Sequence, residues 1–324
     1  MNNRRFLLPA GLAAIFCTGV IIGWFARQPS SSQSPKALRE GGYEYINPVL
    51  LCNTNVDTPN NEDTALQDSI KAYLNHASEK DVAVYYLKLL NGGKWVGVNE
   101  NETFAPASML KVPTVVAFLK YAEEHAAILD QEVLYDGSFD DNKVEYFKPR
   151  QSIRPGHHYS VDQLLTYVIQ YSDNNALRLL HTVVDAHDLE NIYINLGIQL
   201  PTDSPDFMSP KTYSLFLRLL YNSTYLTREM SEKVLRLMDA ADFSQGLQGG
   251  VPSPILTVEK FGERQVKNDD GTVRERELHD CGIVYTPQSP YVICVMTRGN
   301  DFEQLASEIR AISALAYRHT TGSK

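Results

Sequence analysis

The sequence predicts an α/β protein of the three-layer, α+β kind: an antiparallel sheet built from N- and C-terminal strands, flanked by helices, with an all-helical insert. Three observations predict it. Strand-like alternation occurs near residues 82–98 and again across residues 255–297. Between these stretches the apolar residues recur every three to four positions, the helical period. Helical patterns also bracket the strands, at about residues 63–77 and 302–319.

Composition supports one large core or two medium ones. The chain has 324 residues, of which 43% are hydrophobic and 21% charged. Its formal net charge is -9, and no basic stretch is interleaved with aromatics, which excludes nucleic acid as a partner. Cys17, Cys52, Cys281 and Cys294 contain no C-x-x-C pair, and no histidine cluster has zinc spacing, so no metal is expected. Cys294, between Ile293 and Val295, reads as a buried free thiol, and no disulfide is assigned.

The N-terminus is organised differently from the rest. Arg4 and Arg5 precede an uncharged apolar run from Phe6 to Trp24, about long enough to cross a bilayer, and only Arg27 follows closely. Residues 1–27 therefore read as an uncleaved membrane anchor with the remainder outside the cytoplasm, or alternatively as a cleaved signal sequence. Residues 28–42, rich in Ser, Pro and Gln, read as a flexible linker. Residues 43–324 form the folded domain.

Within that domain, Leu66, Ile70, Tyr73 and Leu74 give the first amphipathic helix. Residues 82–90 and 94–98, separated by Asn91-Gly92-Gly93, predict a hairpin. Residues 130–158 are polar and aromatic and read mostly as loop. Leu164, Leu165, Val168 and Ile169 mark a buried helix that breaks at Ser172-Asp173-Asn174-Asn175 and resumes through Leu180. Further helices start at Ser209-Pro210 and Thr227. Strands follow at 255–261, 278–285 and 291–297, and a helix closes the chain.

The chain's one Ser-x-x-Lys is Ser108-Met109-Leu110-Lys111, leading into the apolar run from Val112 to Tyr121. Residues three apart share a helix face, so Lys111 can bring its amine to the Ser108 hydroxyl. A serine hydroxyl is a weak nucleophile until a base takes its proton, and a desolvated neutral lysine is such a base. The polar break at 172–174 presents side chains suited to a cleft, or else merely caps a helix.

Taken in order, Ser108-x-x-Lys111, Ser172-Asp173-Asn174 and Lys260-Phe261-Gly262 resemble the class A β-lactamase and penicillin-binding superfamily, whose motifs are S-x-x-K, S-D-N and K-T-G. The likeness spans roughly residues 63–319. It implies that Ser108 becomes acylated, Lys111 takes its proton, Ser172 relays a proton to the leaving nitrogen and Lys260 adds positive charge beside Ser172. It further implies that Asn174 binds substrate amide, Gly262 and Glu263 border the substrate, and backbone N–H groups of Ser108 and Glu263 form the oxyanion hole. Asp173 would hold its own loop. No metal or organic cofactor is implied. The implied partner is a β-lactam or a peptidoglycan-derived peptide ending in D-Ala-D-Ala.

Two departures change the expectation. Phe261 stands where the motif has threonine and cannot donate a bond to a substrate carboxylate, which leaves Arg264 as a candidate. Class A enzymes also carry a water-activating glutamate on a long loop. Residues 197–209 are too short for that loop and contain no glutamate; Asp203 or Asp206 could substitute with a carboxylate shorter by a methylene, but both read rather as residues capping the turn before Pro210. The expected profile is acylation with slow release. A binding module that keeps the pocket, a D,D-peptidase, or a hydrolase of unrelated esters or amides are the alternatives. His279 and Asp280, on the strand next to Lys260, either face the cleft or are surface polar residues at a strand start, the second being the favoured reading.

Overall fold

The computed structural model describes residues 38–50, 62–77, 81–90, 93–183, 193–195, 198, 204–287 and 289–322. Residues 1–37, which include the segment read as an anchor or signal sequence and most of the segment read as a linker, lie outside the described residues. Residues 38–42, read as linker, are pinned to the body. Arg39 donates to the carbonyl of Asn47 (2.6 Å) and to Asn222 Oδ1 (2.9 Å).

The first helix, α1 (Thr64–Leu74), starts where Asp63 accepts from the Leu66 N–H. Strands β1 (Asp81–Lys88) and β2 (Trp95–Val98) form the expected hairpin. A short 3₁₀ turn then leads into α2 (Lys111–Ala122). The stretch read as loop instead contributes a small two-stranded sheet, β3 (Glu132–Tyr135) with β4 (His157–Ser160). Four-residue strands with long polar connections leave too little alternation to read in a sequence.

The insert continues with α3 (Val161–Gln170), opened by a reciprocal Ser160–Gln163 capping box, and α4 (Asn174–Leu180), capped by Asp173. Helix α5 (Pro210–Asn222) follows, capped by Ser209 with proline in its first turn, and then α6 (Arg228–Asp239), capped by Thr227. The C-terminal strands are longer than the sequence predicts. β5 (Thr257–Lys267) and β6 (Val273–Val284) form one hairpin, with Gly271 at φ 82° in its turn. Charged residues such as Arg264, Lys267 and Glu275 hide the strand pattern there. Strand β7 (Tyr291–Gly299) and helix α7 (Phe302–Thr321) complete the chain.

Among the described residues the main sheet runs β2-β1-β7-β6-β5, with antiparallel neighbours, so N- and C-terminal strands do share it. Both faces are buried. On β1, Val82, Val84 and Tyr86 pack with Leu66 and Ile70 of α1 and with Leu305 and Ile309 of α7. The alternate residues Ala83, Tyr85 and Leu87 pack with Phe118 of α2 and with Tyr213 and Phe216 of α5. That is the three-layer arrangement. Cys281 and Cys294 are cross-strand partners on β6 and β7 and are joined as a disulfide, which corrects the reading of Cys294 as a free thiol. Residues 13 apart in sequence meet only once strand register is set. Among the described residues no helix is long and apolar enough to cross a membrane.

Candidate active site

Ser108 sits in the 3₁₀ turn Ala107–Leu110, directly before α2. Two features hold that turn. Ala107 adopts a left-handed backbone (φ 49°), and the Tyr213 hydroxyl donates to the Met109 carbonyl at 3.0 Å. Lys111, the first residue of α2, is 2% exposed and returns its amine toward Ser108.

The Lys111 Nζ lies 2.9 Å from Ser108 Oγ, 3.0 Å from Ser172 Oγ, 2.7 Å from the Ser172 carbonyl and 2.6 Å from Asn174 Oδ1. Four oxygens exceed what three ammonium protons can reach. Two of them, the carbonyl and the amide oxygen, only accept. A neutral amine that donates to these two keeps a lone pair for a serine hydroxyl, which is the arrangement of a general base. Burial favours that form: it pushes the Lys111 amine down to about 8, against the opposing pull of Glu145, Asp173 and Glu263.

The second motif is held by its backbone as much as by its side chains. Ser172 takes a left-handed φ of 57°. The fully buried Asp173 next to it accepts from Ile153 N–H (2.8 Å), Asn142 Nδ2 (2.8 Å) and Asn175 N–H (2.9 Å). Asn142 in turn accepts from the Asn174 N–H at 2.8 Å, so one asparagine ties both residues to the loop before β4. Asn174 Nδ2 donates to Glu145 at 2.6 Å, which orients its oxygen toward Lys111.

The third motif lies on β5. Lys260 Nζ donates to Ser172 Oγ (3.0 Å) and to the Phe261 carbonyl (2.9 Å), so Ser172 bridges two buried lysines. Burial, and then the neighbouring Lys111, drive Lys260 well below an ordinary lysine value. Behind it lie the buried carboxyls of Glu259 and Asp280. Burial pushes Asp280 up to about 7, although it accepts from the Leu247 N–H at 2.9 Å. Gly262 passes so close to the serine turn that a Cβ on it would lie 2.6 Å from the Pro106 carbonyl oxygen and 3.0 Å from the Met109 nitrogen. The backbone of β5 thus runs alongside Ser108. The Glu263 side chain accepts from the Phe147 N–H at 2.9 Å, beside Glu145; burial, then that neighbour, push it up to about 8.

Several expectations need correction. Arg264 does not reach the site as a free cation: it donates to Asp206 (3.2 Å) and Glu277 (3.2 Å). Asp206 is therefore more than a turn residue; it also pairs with Arg298 at 3.5 Å. Asp203 lies outside the described residues. His279 and Asp280 are not at the surface but fully buried. His279 accepts from the Thr297 N–H (3.2 Å) on Nδ1 and donates from Nε2 to the Ala105 carbonyl (3.1 Å), two residues before the serine turn. Burial holds this ring neutral, with its pKa pulled down to about 3. Both residues do lie on the strand next to Lys260, as the sequence reading has it, and strand pairing sets them beside Gly262 and Phe261.

Sequence reasoning missed Glu145, Phe147 and Asn142 altogether. They lie in the stretch read as loop, and nothing local distinguishes them from other polar and aromatic residues there. Phe261 is 9% exposed, stacked on Phe243 at 4.2 Å and edge-on to Phe147 at 6.0 Å. A cleft of ≈ 420 Å³ borders this aromatic group, walled by Tyr146, Phe147 and Phe261 together with charged residues such as Arg150, Asp242 and Glu303.

A three-layer fold that gathers a buried lysine, two serines and a second lysine at the edge of its sheet is the β-lactamase/transpeptidase architecture. The chain belongs to the β-lactamase enzyme family, whose sequence model matches residues 65–320. No curated protein sequence matches it. Solved structures are similar in fold. The TLA-1 extended-spectrum β-lactamase shares 18% identity at a TM-score of 0.66, covering 81% of this chain and 99% of that one. A mutant of PBP-A, solved as an acyl-enzyme with penicillin G, shares 20% at 0.66, covering 82% and 99%. A β-lactamase from Chitinophaga pinensis shares 20% at 0.65, covering 79% and 99%.

Proposed function

We propose that this protein is an active-site-serine hydrolase that opens an amide, of the β-lactam or D-Ala-D-Ala-like peptide type, through a Ser108 acyl-enzyme that is released slowly. The observation that carries the reading is Lys111 Nζ, 2.9 Å from Ser108 Oγ and held between two oxygens that can only accept. Ser108 Oγ attacks the carbonyl carbon as its proton passes to Lys111. The oxyanion is met by backbone N–H groups of Ser108 and Glu263. The C–N bond then breaks, and the nitrogen takes a proton from Ser172 Oγ, which Lys111 and Lys260 both touch. Water later cleaves the ester. Slow release follows from the absence of a glutamate in residues 197–209.

The reading also places the domain outside the cytoplasm, held by residues 1–27. Protease accessibility on intact cells tests this placement, and full protection of the domain would refute it.

Intact-protein mass over time, with penicillin, tests the chemistry. The expected result is a persistent adduct that is absent from Ser108→Ala. An adduct that is equal in Ser108→Ala, or no adduct with any serine-reactive probe, refutes the enzyme reading. The second outcome would support a binding module, which the aromatic filling around Phe261 favours.

A further inference from the structure

Two carboxyls that the mechanism does not use lie behind Lys260. Glu259 on β5 is 2% exposed and Asp280 on β6 is fully buried. Strand pairing sets Asp280 opposite Phe261 and Gly282 opposite Glu259. Glu259 and Asp280 are therefore diagonal neighbours on one face of the hairpin, within reach of long side chains. Both hold the loop that passes over them: Asp280 Oδ2 accepts from the Leu247 N–H and Glu259 Oε2 from the Gln248 N–H, each at 2.9 Å. Gly246 permits that approach, since a Cβ there would lie 2.2 Å from Asp280 Oδ2.

Each carboxyl thus spends one oxygen on the loop. The other two, Glu259 Oε1 and Asp280 Oδ1, are buried and have no hydrogen-bond partner among the described residues. Two ionised carboxylates side by side in a dry interior repel, and leaving one oxygen of each unpaired is a further penalty. One proton held between them removes both penalties and leaves a single negative charge. Burial, and then Asp280, drive Glu259 well above an ordinary glutamate, whereas burial raises Asp280 to about 7, so the proton belongs on Glu259 and the charge on Asp280.

Lys260 is the group that this charge serves. Its amine donates to Ser172 Oγ and the Phe261 carbonyl, and it bonds no carboxylate among the described residues. Burial, and then Lys111 on α2, oppose its positive form; Asp280 on β6, Glu145 in the stretch before β4 and Glu259 next to it on β5 favour it. We propose that Glu259 and Asp280 share one proton and act as positioning residues, the charge left on Asp280 holding Lys260 as a cation so that the serine site prefers acyl donors carrying a carboxylate. This rests on the Ser108 acyl-enzyme reading and assigns its substrate preference to residues that do not touch substrate. Phe261 has no hydroxyl to offer a carboxylate, and Arg264 is paired with Asp206 and Glu277, so the attraction falls to Lys260.

The test follows acylation of the full-length protein, by intact mass, with penicillin G and with its methyl ester, which differ only at the carboxylate. The two rates, each divided by that compound's rate with hydroxide, give a preference ratio. The wild-type ratio should favour the acid by about tenfold or more, the scale of one charge–charge contact in a shielded site, and Lys260→Gln should remove that preference. Glu259→Gln should keep the ratio within about twofold, because its amide still donates to Asp280 and still accepts from the Gln248 N–H. Adding Asp280→Asn should then lower the ratio at least about tenfold, and should lower it no further in a Lys260→Gln background. A purely structural role would slow both compounds together and leave the ratio in place. Should the double variant not fold, Glu259→Leu, which takes the donor from Asp280, should give the same fall. A wild-type ratio at or below one, a ratio that Lys260→Gln leaves unchanged, or one that withstands loss of the carboxyl pair overturns the inference while the acyl-enzyme reading stands. An adduct equal in Ser108→Ala, or none with either compound, removes the β-lactam acyl-enzyme reading itself, and the inference with it.

Discussion

Ser172 presents both its carbonyl oxygen, at 2.7 Å, and its hydroxyl oxygen, at 3.0 Å, to the amine of Lys111. It does so because its backbone is left-handed, with φ 57°. A helical or extended residue at this position would direct one of the two groups elsewhere. The conformation is unfavourable for a residue with a Cβ, by about 1–3 kcal/mol, and the capping of α4 by Asp173 holds it in place.

Asp173→Ala should therefore damage the site without touching substrate. The change strips acceptors from Asn142, Ile153 and Asn175 in a fully buried place. Denaturant unfolding should show a loss of roughly 2–4 kcal/mol, from several buried donors left unpaired. An effect below about 0.5 kcal/mol, the scale of ordinary surface changes, would mean that the loop is held by other contacts.

Lys111→Met should keep most of the packing and remove the base. Acylation of Ser108, followed by intact mass, should slow by about 10²–10⁴-fold, the usual worth of a positioned base. A variant that acylates at the wild-type rate would assign the proton to another group, Lys260 being the nearest alternative across Ser172.

The pH dependence of acylation should follow the same amine. Its rate should climb as pH rises and level off above about 8, where Lys111 has lost its proton. The sign for stability agrees. Between about 8 and the ordinary 10.5 the unfolded chain binds more proton than the folded one, so Lys111 adds stability as pH rises through that window. A rate that is flat from pH 6 to 9 would contradict this assignment.

His279 should make the fold sensitive to acid. Its folded value of about 3 lies below the ordinary 6.5, so the unfolded chain binds more proton in between. Stability carried by the neutral ring is present above 6.5 and is lost as pH falls toward 3. His279→Phe should weaken this acid slope in thermal melts. At neutral pH it should cost about 1–3 kcal/mol, from the Ala105 carbonyl and Thr297 N–H left unpaired. An unchanged slope would move acid sensitivity to other groups.

Gly262→Val should act on the nucleophile from the next strand. Its Cβ would clash with the Pro106 carbonyl and the Met109 nitrogen, both backbone atoms of the serine turn. Overpacking of this kind costs about 1–3 kcal/mol. Labelling of Ser108 should fall further than stability does, because the turn itself moves. Normal labelling with a lowered melting temperature would separate packing from the site.

Much of this protein is local and so legible from one chain. Period-two and period-three-to-four patterns locate the hairpin β1–β2, the helices of the insert and the closing helix, and capping residues such as Ser160, Asp173 and Ser209 stand where those helices begin. The spacing of Ser108 and Lys111 is likewise local, because one helical turn brings three-apart residues together. What tertiary structure alone decided is every relationship between distant segments. Strand register sets Cys281 against Cys294 and His279 against Gly262. The folding of residues 140–147 over the insert delivers Asn142, Glu145 and Phe147 to the site. The replacement of Thr by Phe261 is visible in the sequence. Its aromatic surroundings and the carboxyl beside them are not, since burial and charge proximity belong to the packed chain.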